Sequence, residues 1–116
     1  MSKILIIPGS TRAGSLNVKL AHAMVNAFGE QGAETVVADL KTYNLPIFDE
    51  DVKAAGIPAG ALKLAQDISD ARALVFVSPE YNSSIAPGLK NAIDWVSVLQ
   101  PEHGAPDVVF KDIECA

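Results

Sequence analysis

Cysteine is nearly absent from this 116-residue chain: Cys115, one residue from the end, is the only one. An internal disulfide is excluded, a zinc knuckle is argued against, and Cys115 reads as the thiol of a frayed tail. Histidine is also scarce. His22 and His103 have no ligand-type companions, so both read as surface residues and no metal site is expected. Positive charge is in short supply: nine Lys+Arg against fourteen Asp+Glu leave a net charge of −5. Such a field repels polyanions and makes nucleic acid a poor partner. Long apolar runs are missing. The first, Ile4 to Ile7, stops at Pro8-Gly9, far short of a signal-peptide core or a membrane span. No membrane partner is expected, and the location expected is cytoplasmic. Repeats and low-complexity tracts are absent too.

What is present suits a packed core, with 49% hydrophobic and 20% charged residues in one domain's length. Ile4-Leu5-Ile6-Ile7 is a continuously apolar, β-branched run, as in a parallel strand buried on both faces. Ser15 then precedes the row Leu16, Leu20, Met24 and Phe28, which predicts an amphipathic helix closing near Gly32. Glu34 to Ala38 reads as a second strand. Strand, helix, strand is a βαβ unit, whose right-handed crossover keeps the strands parallel. Residues 41–57, with Pro46 and the acidic run Asp49-Glu50-Asp51, show no sustained period and read as a long solvated loop. Pro58 suits the first turn of a helix with the face Ala61, Leu64, Ala65 and Ile68. A third strand, Ala73 to Val77, follows. Pro87 opens a last helix with the face Leu89, Ala92, Ile93 and Val96, and Trp95 flanks the core or a subunit contact.

Three strands alternating with three helices define an α/β layered domain, and in such sheets ligands bind outside the carboxyl ends of the strands. Two loops lie there. The first, between strand and helix, is Pro8-Gly9-Ser10-Thr11-Arg12-Ala13-Gly14-Ser15-Leu16-Asn17. Ser10, Thr11, Ser15 and Asn17 can donate hydrogen bonds and Arg12 can neutralise charge. The helix start adds free N–H groups and the positive end of its dipole, so the loop suits a phosphate. It is neither a Walker loop nor a G-x-G-x-x-G fingerprint, and a monophosphate fits it better than a pyrophosphate. The same residues also suit a plain N-cap at Ser15 and a polar turn at 10–12. The second loop, Ser78 to Gly88, contains Pro79, Glu80, Tyr81, Asn82, Ser83 and Ser84 beside an apolar strand end, suiting a flat heteroaromatic ring with a polar edge. Tyr81 as a core aromatic and Asn82 as a turn former is the competing reading.

Together the loops resemble the NADPH-dependent FMN reductase family of flavodoxin-like proteins, which includes quinone, chromate and azo-compound reductases. The matching pieces are Gly9-Ser10-Thr11-Arg12 with Ser15-Leu16-Asn17, then Leu45-Pro46 with Phe48-Asp49-Glu50-Asp51. They end with Pro79-Glu80-Tyr81-Asn82 running into Pro87-Gly88-Leu89-Lys90-Asn91-Ala92-Ile93-Asp94-Trp95. The resemblance implies that Ser10, Thr11, Arg12, Ser15, Leu16 and Asn17 hold the FMN phosphate. It implies that Pro79, Glu80, Tyr81 and Asn82, with Ser83 nearby, meet the isoalloxazine ring. It further implies that NADPH delivers hydride to the flavin and that a small acceptor, such as a quinone or free flavin, then takes the electrons. The chemistry belongs to the flavin, so no side chain is assigned a catalytic proton transfer.

The resemblance also implies a doubly wound, three-layer parallel sheet in which strands 2-1-3 are present and strands 4-5 largely missing. The full flavodoxin-like order is 2-1-3-4-5. After Leu99 the chain departs from the family pattern, and residues 100–116 read as a divergent tail in which Val108-Val109-Phe110 can form only a stub of strand. The expectation is a single domain, 1–116, incomplete at its C-terminal end, whose uncovered edge favours association as a homo-oligomer. A module that holds FMN or another monophosphate without turnover, and a remnant stabilised by association, are the alternative functions.

Overall fold

The computed structural model describes residues 3–9, 16–78 and 86–105, and the backbone of residues 114–115. Strand β1 (Lys3–Pro8) leads to helix α1 (Leu16–Glu30) and strand β2 (Glu34–Val37). Short helices α2 (Leu40–Tyr43) and α3 (Glu50–Ala55) precede α4 (Ala59–Ser69), strand β3 (Ala71–Val77) and α5 (Pro87–Ser97). A 3₁₀ turn at Pro101–His103 and a two-residue strand β4 (Glu114–Cys115) follow.

The sheet order is β2-β1-β3-β4 and every pairing is parallel. This is the flavodoxin-like 2-1-3 arrangement. β1 is central because its uninterrupted apolar run can be buried on both faces. Ile6 faces one layer with Ala21, Val75 and Val77, against which Met24, Val25 and Phe28 of α1 pack. Leu5 and Ile7 face the opposite layer with Leu64, Ile68, Leu89 and Trp95 of α4 and α5. The sheet is thus the middle of three layers.

Four expectations need correction. The face of α1 that meets the sheet is the buried Ala21 with the partly buried Met24, Val25 and Phe28, while Leu16 and Leu20 are 73% and 52% exposed. A pure i, i+4 row advances by about 40° per step around the helix, so its first two members rotate out of the face that meets the sheet. Residues 41–57 are not one open loop, since most of α2 and all of α3 lie there. Helices this short carry no period; their signals are single caps, with Asp39 accepting from the Lys41 N–H at 2.9 Å and Asp49 from the Asp51 N–H at 2.7 Å. The exposed Asp49-Glu50-Asp51 run is therefore a helix start, with acids at the positive end of the dipole. Pro58 sits at the N-cap of α4 rather than inside its first turn. Finally, the backbone at Cys115 is paired with Leu74 in β4 and is not a frayed tail, because the open edge of β3 offers N–H and C=O groups that recruit it. Val108, Val109 and Phe110 lie outside the described residues.

Two expectations were accurate in detail. Ala61, Leu64, Ala65 and Ile68 are the buried residues of α4. Pro87 opens α5, whose buried residues are Leu89, Ala92, Trp95 and Val96, with Ile93 packed against the core.

Candidate functional site

The sheet register determines where the two loops start. Pro8 at the end of β1 is paired with Val77 at the end of β3, and the Gly9 N–H donates to the Val77 carbonyl at 2.7 Å. Both chains therefore leave the sheet side by side at the carboxyl ends of adjacent strands. β2 pairs with β1 on the other side, so the chain reverses its direction of winding here, the place where such sheets hold ligands.

Close packing shapes this corner. A Cβ at Gly9 would lie 3.3 Å from both the Leu89 Cβ and the Ser78 Oγ, tighter than ordinary contact. Glycine lets the end of β1 sit directly against the first turn of α5. The Ser78 Oγ accepts the Ala86 N–H at 2.9 Å, tying together the two ends of the 79–85 segment. Sequence reasoning left Ser78 without this tethering role; its position next to Pro79 at a strand end was the available signal.

Of the residues predicted for the site, Leu16 opens α1 as an exposed side chain and Asn17 follows it, partly buried in the first turn. No acidic residue occupies that turn, so nothing there repels an anion drawn by the helix N-terminus. Ser10, Thr11, Arg12 and Ser15, and likewise Pro79, Glu80, Tyr81, Asn82 and Ser83, lie outside the described residues. Of their flanks, Gly9, Ser78 and Ala86 belong to the corner just described, and Leu16 begins α1.

The segment between α2 and α3 reaches the same end of the sheet. Asn91 lines a shallow cleft with Leu45 and Gly88. Its Nδ2 donates to the Pro46 carbonyl at 2.8 Å, and its Oδ1 accepts the Phe48 N–H at 2.7 Å. Trp95, one turn on and 0% exposed, donates its Nε1–H to the same Pro46 carbonyl at 2.7 Å. Trp95 is thus a core residue. Its ring also meets Phe48 edge-on, centroids 4.9 Å apart. Sequence reading assigned Asn91 no role: its place four before Trp95 puts the two side chains on one face of α5 but does not say what that face meets.

Elsewhere, a cleft of about 410 Å³ runs along the edge strand β2. Its polar wall is Tyr43, which donates to the Asp67 Oδ2 at 2.6 Å, and Lys63, which donates to Oδ1 at 2.7 Å. Burial first, and the Asp67 carboxylate second, push the Tyr43 phenol well above its usual range. The same carboxylate raises Lys63. Both carboxylate oxygens are engaged, and the wall includes Lys3 and Ala71 from the opposite ends of β1 and β3, so this is a structural triad away from the corner. His22 is exposed, and the His103 Nδ1 accepts the Gln100 N–H at 3.0 Å. Among the described residues no helix is long and apolar enough to cross a membrane.

Known proteins resemble this chain in sequence and in fold. The family model described as NADPH-dependent FMN reductase matches residues 2–111. An NAD(P)H-dependent FMN reductase of Pseudomonas aeruginosa is 40% identical over 112 residues, covering 93% of this chain and 58% of that protein. A quinone reductase of Escherichia coli is 39% identical over 113 residues, covering 92% of this chain and 57% of the relative. The chain therefore spans a little under three-fifths of the length of these curated relatives. Among solved structures, the flavoenzyme NAD(P)H:(acceptor) oxidoreductase of Paracoccus denitrificans superposes with a TM-score of 0.76 at 27% identity, covering 99% of this chain and 58% of that one. An FMN-dependent NADH-azoreductase of Bacillus anthracis, solved in complex with FMN, shares the fold at a TM-score of 0.66 and 16% identity, covering 98% of this chain and 66% of that one. With nearly all of its length matched by one family model and its sheet superposing on a flavoenzyme, this chain belongs to the NADPH-dependent FMN reductase family.

Proposed function

We propose that this chain binds FMN across the carboxyl ends of β1 and β3 and passes electrons from NADPH to a small acceptor such as a quinone or free flavin. The observation that carries the reading is the register Pro8 to Val77, which starts a phosphate-type loop and a ring-type loop side by side. The donor set fits the cofactor: Ser10, Thr11, Ser15 and Asn17 offer hydrogen bonds, Arg12 offers charge, and Leu16 and Asn17 begin a helix with no acid in its first turn. Pro79, Glu80, Tyr81, Asn82 and Ser83 serve as the ring-side contacts. Bound FMN supplies the two-electron chemistry. The chain's residues bind and orient the cofactor, and no side chain acts as an obligatory acid or base. The names of the Pseudomonas and Escherichia relatives support both the nicotinamide donor and the quinone acceptor. A cytoplasmic homo-oligomer belongs to the same reading, the association covering a sheet edge that the described residues leave open.

Titration of the purified chain with FMN tests it. The expected result is saturable uptake with absorption near ~450 nm and NADPH oxidation that depends on added quinone. Arg12→Ala should weaken FMN binding about 10- to 100-fold, the loss of a charge-assisted hydrogen bond to phosphate, and should leave riboflavin binding unchanged. Absence of FMN uptake overturns the proposal. Uptake without NADPH oxidation reduces it to a flavin-holding module.

A further inference from the structure

We propose that Asn91 is a positioning residue: it locks the segment 45–49 against α5 so that Ile47 is held out at the rim of the site as the apolar contact for the electron acceptor. The inference rests on the flavin-reductase reading above and extends it to the acceptor.

Residues 45–49 belong to neither α2 nor α3, yet their backbone is pinned twice from one side. The single Asn91 amide uses its donor on the Pro46 carbonyl and its acceptor on the Phe48 N–H, while Trp95 adds a second donor to Pro46. Phe48 turns inward onto Trp95. Ile47, between the two pinned residues, turns outward and is 85% exposed. A single exposed aliphatic residue is ordinary on a protein surface. One held between two anchored neighbours is different, because most of the ordering cost of a contact made through it is already met by the fold.

The location specifies what the contact is for. Asn91 lies one turn into α5 from Pro87 and Gly88, and a Cβ at Gly88 would lie 3.7 Å from the Gly9 carbonyl oxygen at the end of β1. Leu45 and Gly88 share one cleft with Asn91. The pinned segment is therefore beside the corner where the two loops begin, where an acceptor must approach the cofactor. A flat, largely apolar quinone matches an isoleucine side chain by dispersion and burial rather than by hydrogen bonding.

The test uses Ile47→Ser, Asn91→Ala and the double variant, with duroquinone as the probe. The first readout is steady-state KM for duroquinone and for NADPH on the FMN-loaded chain. The second is quenching of Trp95, the only tryptophan, by duroquinone and by acrylamide on the FMN-free chain. Ile47→Ser changes an exposed side chain and leaves the fold intact. It should raise the duroquinone KM about tenfold, equivalent to about 1.4 kcal/mol, with NADPH KM and FMN affinity unmoved. Asn91→Ala should raise the duroquinone KM by a similar factor and make Trp95 accessible to acrylamide. The double variant should be no worse than the poorer single variant, because Asn91 acts through Ile47. An unchanged duroquinone KM in Ile47→Ser, or additive losses in the double variant, overturns the inference while FMN uptake keeps the flavin reading intact. A wild-type chain that takes up no FMN overturns that reading instead. The inference is then decided by the FMN-free titration, where Ile47→Ser must weaken duroquinone quenching by the same factor or the inference falls.

Discussion

The Tyr43 hydroxyl donates to a carboxylate that Lys63 also grips, so its proton is held by two effects of one sign, burial and the negative charge of Asp67. The folded-state value is raised above that of the unfolded phenol, near ~10. The stabilisation is therefore fully present below pH ~10 and is lost as pH rises above it. Tyr43→Phe should cost about 1–2 kcal/mol at pH 7, read by urea denaturation, and the gap to wild type should close as the pH is taken above ~10. A gap that stays constant through that range would show that the hydroxyl is not the source. Neither Tyr43 nor Asp67 was legible as a pair in the sequence, because the two are 24 positions apart and meet only when α2 packs on α4.

At the scale of elements, α2 is four residues long and survives by docking rather than by propensity. Asp39 caps its start, and Asn44, at φ 50°, takes the left-handed conformation that ends it. Its carbonyl end presses on α4 so closely that a Cβ at Gly60 would lie 1.7 Å from the Tyr43 oxygen. Gly60→Ala sets two effects against each other. Alanine gains about 1 kcal/mol of helix propensity, yet the new methyl cannot coexist with a backbone carbonyl at that distance unless α2 lifts away. The clash should win, for a net loss of about 1–3 kcal/mol and a melting temperature lower by several degrees in circular dichroism. A rise in melting temperature would mean that α2 yields at no cost. Periodicity located α4 and α5 because long faces repeat; it missed α2 and α3 because one turn has nothing to repeat.

Across the whole molecule, the sheet is protected unevenly. Among the described residues, β1 has β2 on one side and β3 on the other, whereas β2 has no partner on its outer edge and β3 is paired on its far side at Ala73 and Leu74. Amide hydrogen exchange should be slowest at Leu5, Ile6 and Ile7, intermediate in the middle of β3, and fastest among the strands in β2. Protection of β2 equal to that of β1 would indicate that another chain covers its edge, the arrangement expected if edge pairing supports an oligomer. The net charge of −5 acts at this scale as well, giving the molecule a field that repels polyanions, and in the proposed phosphate loop Arg12 is the one residue of opposite sign.

By itself the sequence determined the alternation of strands and helices, the burial of β1 on both faces and the family, since these depend on local pattern and on contiguous motifs. Only the tertiary structure decided which side of α1 is buried, because a row of leucines does not state where the sheet lies. It alone paired Cys115 with β3, because that pairing answers an open edge and not a local preference. It also brought Asn91 and Trp95 onto one carbonyl 45 and 49 positions away, an encounter between a loop and a helix for which neither stretch carries a signal. The reason is the same in each case: short-range periodicity reports what a segment prefers alone, whereas hydrogen bonds between distant groups exist only once the segments have been packed together.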